Sequence, residues 1–161
     1  MEIGTKNILT KGLGEGYMGK TARGQVERAG FTLETSDYKG SEGEYHDEWA
    51  AHQNGGGQEL AKDVNGEMAT RVYAGGTLEE EKLAKLGLTG KVVIGKLVFF
   101  VGELGDKTRL DQDTEMTDGK WKYKHRVLKS VIEIPVDVSE ETITYDDNLV
   151  FIHFHVNSPV R

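Results

Sequence analysis

Asn65-Gly66 stands between two short runs, QELAKDV and EMATRVYA, each bounded by turn residues. The pair accepts the positive φ angles of a tight reversal, and the flanking runs have strand length and strand composition, so the segment predicts a β-hairpin. The stretch before it, GEYHDEWA, alternates, with Tyr45, Asp47 and Trp49 on one face and His46 and Glu48 on the other. The triple glycine at 55–57 reads as the reversal joining the two. A three-stranded antiparallel meander is the expected result.

The C-terminal third repeats this style. GKWKYKHRV alternates Trp121, Tyr123, His125 and Val127, VIEIPVDV follows, and ETITYDDNLVFIHFHV predicts a hairpin around Asp146-Asp147-Asn148. In the last strand Val150, Ile152, Phe154 and Val156 make a complete apolar face expected to form core. Phe151, His153 and His155 then fall on the other, solvated face.

Between the β regions, GTLEEEKLAKLG predicts a helix with Thr77 as N-cap, Glu80 completing a capping box and Gly87 as terminator. Residues 92–104 are rich in β-branched side chains, yet Val93, Leu97, Phe100, Val101 and Leu104 recur at helical spacing, which favours a helix lying on the sheet. Near the N-terminus Gly14, Gly16 and Gly19 have G-x-G-x-x-G spacing, but no strand precedes them and no β-α-β repeat follows. They read as a glycine-rich turn, followed by a weak helix in KTARGQVERAG. The expected fold is α+β: a mainly antiparallel β-sheet built from two meander units with one or two helices between them in sequence. It occupies a single domain, 1–161, with pseudo-repeat halves 42–76 and 118–156 and a glycine-rich N-terminal segment 1–40.

Composition narrows the functional classes. Cysteine is absent, which removes disulfides, thiolate metal sites and cysteine nucleophiles. The net charge of −7 opposes nonspecific binding to nucleic acid, and KWKYKHR at 120–126 reads as a strand with aromatics inward and lysines outward. No apolar run has membrane-spanning length and the N-terminus has no apolar signal core, so a soluble, cytoplasmic chain without a membrane partner is expected. The candidate partners are a small molecule, another protein or a second copy of the chain.

SEGEYHDEW, GGGQEL, VNGEMATRVYAGG and DGKWKYKHRV together resemble a family of prokaryotic domains of unknown function, over roughly residues 9–156. Members of that family occur alone or behind a helix-turn-helix DNA-binding domain. No such extension is expected in this chain, and its middle segment is longer than the family pattern. The resemblance implies an α+β fold and a sensory or regulatory role, and supplies no catalytic residues.

One candidate site follows from the first β region. Tyr45, Asp47 and Trp49 share a face, Glu59 begins the next strand, and Arg71 and Tyr73 lie on the third. Such a set can bind a small polar ligand by stacking and charge-assisted hydrogen bonds. His125, His153 and His155 form an alternative set with metal-ligand character. On a solvated face, without an acidic ligand in register, they are expected to bind no stoichiometric metal and no cofactor. The serines at 36, 41, 130, 139 and 158 are expected in loops or at strand ends, with no G-x-S-x-G elbow. The leading expectation is therefore a small-molecule-binding or interaction domain without catalysis. The alternative is a hydrolase-like or metal-dependent enzyme using Asp47 and Glu59 or the three histidines.

Overall fold

A computed structural model of the chain describes residues 1, 3–20, 23–50 and 53–161. Among the described residues nine strands form one antiparallel sheet: β1 (Arg23–Arg28), β2 (Phe31–Gly40), β3 (Gly43–Ala50), β4 (Asn54–Asp63), β5 (Met68–Thr77), β6 (Thr114–Asp118), β7 (Trp121–Val131), β8 (Val136–Tyr145) and β9 (Asn148–Val160). Their spatial order is β1-β2-β3-β4-β5-β9-β8-β7-β6. This is an α+β fold with a mainly antiparallel sheet, as the alternating segments predict. The edge strands β1 and β6 are largely exposed and carry charged side chains, which discourages pairing with another sheet.

Helices α1 (Ile3–Gly12), α2 (Glu80–Lys85) and α3 (Gly90–Leu104) accompany the sheet. Thr89 caps α3 by accepting from the Val92 N–H at 3.3 Å, and Val93, Leu97, Phe100 and Val101 form its buried stripe. These pack with Tyr123, Ile143, Val150 and Phe151 of the sheet into the larger apolar cluster. A smaller cluster joins Ile8 and Leu9 of α1 to Tyr45, Ala61 and Ala69. Gly12 permits this contact, since a Cβ there would fall on the Tyr45 ring.

Several local expectations are corrected. The N-terminal glycines lie in a π-helical continuation of α1, Leu13–Lys20, rather than in a turn. KTARGQVERAG supplies β1, not a helix. Gly55, Gly56 and Gly57 sit inside β4, because close backbone neighbours leave no room for a side chain. A Cβ on Gly57 would stand 2.5 Å from the Glu48 carbonyl and 2.6 Å from the Tyr73 hydroxyl. The reversal expected there falls partly on residues 51 and 52, outside the described residues. Thr77 belongs to β5 and is not a cap; α2 begins after Glu79 without a side-chain cap, while Gly87, at φ +72°, does end that turn. Around Asn65-Gly66 the loop is longer than two residues: the Asp63 carboxylate accepts from the backbone of Asn65 at 2.9 Å and of Glu67 at 3.0 Å. Ser36, Ser130, Ser139 and Ser158 lie within strands, Ser36 and Ser139 fully buried.

The largest correction concerns β9. Phe151, His155 and Asn157 are buried and His153 is mostly so, whereas Phe154 and Val156 are 46% and 41% exposed. The face expected to be core points outward and the histidine face points inward. A register irregularity between Ile143 and Thr144 sets this orientation at the hairpin end: Thr144 pairs with Leu149 but Ile143 pairs with Phe151. Val150 is taken up at that step, and it and Phe151 are both buried.

Candidate functional site

Strand register places the inward-facing side chains in rows across the sheet. The row Tyr45, Ala61 and Ala69 belongs to the smaller apolar cluster. Phe151, Ile143 and Tyr123 belong to the larger one. Two residues along each strand from the first row come Asp47, Glu59, Arg71 and Asn157. The next row is Trp49, Gly57, Tyr73, His155 and Ser139. The last before the larger cluster is Gly75, His153, Glu141 and His125. A belt of buried polar groups thus separates two apolar clusters.

Two ion pairs hold the belt together. Arg71 donates its Nε to Glu59, both about 1% exposed, and Tyr45 donates to Glu59 at 2.8 Å. Arg109 grips Glu141 with two parallel bonds, Nε to Oε1 at 2.8 Å and Nη2 to Oε2 at 2.7 Å. Arg109 comes from the irregular segment after α3 and has φ +59°. Its backbone carbonyl accepts from Arg71 Nη1 at 3.0 Å, so the two pairs are linked.

Burial and these charges set the protonation states. Desolvation, reinforced by Glu59 opposite, pushes the Asp47 carboxyl up to about 8. Tyr73 donates to that carboxyl at 3.1 Å and 3.3 Å, and its own hydroxyl is pushed far up by burial and the neighbouring Asp47. Burial would raise Glu141, but the Arg109 guanidinium overrides it and holds the carboxylate well below its ordinary range. Burial lowers all three belt histidines, His153 to about 4 and His155 well below the usual imidazole range. They are neutral at physiological pH.

A cavity of about 410 Å³ opens onto this belt. Its lining mixes apolar side chains, Leu13, Ile94 and Leu97 from the helices and Phe151 from the sheet, with the polar Asp47, Glu59, Tyr73, Arg109 and His153, and Trp49 also borders it. The backbones of Gly55, Gly56, Gly75 and Gly76 also line it. Four of the six expected ligand contacts, Asp47, Trp49, Glu59 and Tyr73, therefore face one space. Tyr45 and Arg71 do not line it: both are buried and bonded to Glu59, so they support the wall. Arg109 and His153 were absent from that expected set. Nothing local in the sequence marks Arg109, whose carboxylate partner lies 32 residues away.

The histidines are not on a solvated face, which corrects the basis on which a metal was not expected. His125 Nε2, His153 Nδ1 and both ring nitrogens of His155 are buried without a hydrogen-bond partner among the described residues. Each such buried polar atom costs about 1–3 kcal/mol. An acidic residue is also in register, because Glu141 pairs with both His125 and His153. Compared with protein-family models, curated proteins and solved structures, the chain finds no match in any of the three.

Proposed function

We propose that this chain is a binding domain that takes a small molecule with one polar end and one apolar end into the cavity between the sheet and α3, without transforming it. The observation that carries this reading is the cavity's mixed lining, in which Asp47, Tyr73, Arg109 and His153 share one space with Leu13, Ile94 and Leu97. Keeping so many polar groups in the interior costs stability relative to an apolar belt, and such sites recur where ligands bind. A sensory or regulatory role agrees with the resemblance of the 41–49 and 118–127 motifs to prokaryotic domains found beside helix-turn-helix modules. Within this reading, segments 42–76 and 118–156 are two meander units of one ancestral design, each contributing one side of the belt.

A second reading has its own support. Asp47 is opposite Glu59 in register and stays protonated to about pH 8, which is the pattern of a carboxyl poised to donate a proton. A metabolite screen by thermal shift separates the two. The binding reading expects a stabilising compound that is recovered unchanged and whose effect is lost in Trp49→Ala. Turnover of that compound, abolished in Asp47→Asn, would replace binding with catalysis. Absence of any stabilising compound across polar–apolar metabolites would remove both.

A further inference from the structure

We propose that Glu141, His153 and His155, with His125 beside them, bind a divalent transition-metal cation of the zinc class. The ligand atoms of Glu141, His153 and His155 all lie within 4.8 Å of one another. Glu141 Oε2 is 3.9 Å from His153 Nδ1 and 3.9 Å from His155 Nε2. Donors about 2.1 Å from a tetrahedral ion stand about 3.4 Å apart, so the two carboxylate–imidazole separations need close by about half an ångström and the imidazole–imidazole one by at most about 1.4 Å.

The lone pairs are available. His125 Nδ1 lies 2.9 Å from the Gln112 carbonyl, which can only accept, so the proton is on Nδ1 and Nε2 carries a lone pair. That arrangement, a backbone carbonyl fixing the far nitrogen of an imidazole, is how metal-binding histidines are oriented. Among the described residues His125 Nε2 is itself buried and unpartnered, as are His153 Nδ1 and His155 Nε2. Glu141 Oε1 accepts from Arg109 and from Tyr123 at 2.7 Å, which uses both its lone pairs. Among the described residues Oε2 accepts from Arg109 alone, at 2.7 Å, which leaves one lone pair for the space it shares with the two rings. Arg109 opposes an incoming cation, but Glu59 and Glu141 balance the two belt arginines. Neutral imidazoles and one carboxylate, with no thiolate, suit a borderline cation rather than calcium or magnesium.

This inference does not depend on the cavity binding an organic ligand; of the four residues, only His153 lines that space. The test uses the full chain stripped with a chelator and titrated with Co²⁺, then Zn²⁺. One Co²⁺ per chain is expected, with a visible d–d absorption that Zn²⁺ displaces. His153→Ala and His155→Ala should each weaken binding at least tenfold, whereas His46→Ala, a half-buried histidine between Asp37 and Glu48 and remote from the triad, should not. Should a variant fail to fold, ring ¹⁵N spectra of the unaltered protein decide, because Zn²⁺ must shift His153 Nδ1 and His155 Nε2. No saturable uptake, uptake unchanged in the folded His153 and His155 variants, or unmoved ring resonances would overturn the proposal.

Discussion

Arg109 shows what individual residues contribute. It neutralises Glu141 in the interior, and its carbonyl caps Arg71, so both ion pairs depend on one side chain and its backbone. Removing it strands a buried carboxylate; Arg109→Ala is expected to cost about 3–5 kcal/mol in denaturant unfolding, while Arg109→Met with Glu141→Leu should recover most of that loss. Asp47 gives a pH signature. Its carboxyl is raised from 3.8 to about 8 in the fold, so the folded chain holds a proton that the unfolded chain releases. Stability from this group is complete below about pH 4 and is lost as pH rises towards 8, at about 1.4 kcal/mol per pH unit where the slope is full. Asn mimics the protonated carboxyl, so the unfolding free energy of the unaltered chain minus that of Asp47→Asn should fall across this window. A difference that stays flat or rises would show that Asp47 is ionised in the fold.

At the scale of elements, local pattern carried some assignments and not others. β3, β5, β7 and α3 were legible because alternation or a 3.6-residue stripe depends only on near neighbours in sequence. β9 misled because Ile152, Phe154 and Val156 alternate as a core face would, while what draws the histidine face inward is Glu141 on β8, 3.9 Å from both His153 Nδ1 and His155 Nε2 and distant in sequence. The triple glycine misled for the same reason: what forces it into a strand is the approach of Glu48 and Tyr73, neither of which is adjacent in sequence. Of the candidate site, the Asp47, Trp49, Glu59 and Tyr73 set was legible from register, whereas Arg109 was not. Gly75 offers a test of this packing. It has φ +148°, and a Cβ there would stand 2.7 Å from His153 Cδ2 and 2.9 Å from His153 Cα. Gly75→Ala should destabilise the chain by about 1–3 kcal/mol and perturb the His153 ring resonances.

Across the whole molecule, helices and sheet enclose two apolar clusters with a polar belt and a cavity between α3 and the strands. Among the described residues no helix is long and apolar enough to cross a membrane. The central claim is that this cavity binds a small molecule, and Ile94 is the position from which to test it, since it lines the cavity and is only partly buried. Ile94→Trp should fold with a melting temperature close to that of the unaltered chain while occupying the space a ligand needs. The deciding measurement is the thermal shift of both proteins with the compound selected by the screen. At a hundredfold excess over Kd, the unaltered chain should gain about 2.7 kcal/mol and Ile94→Trp almost nothing. Equal stabilisation of the two proteins would place binding elsewhere on the molecule and contradict the account.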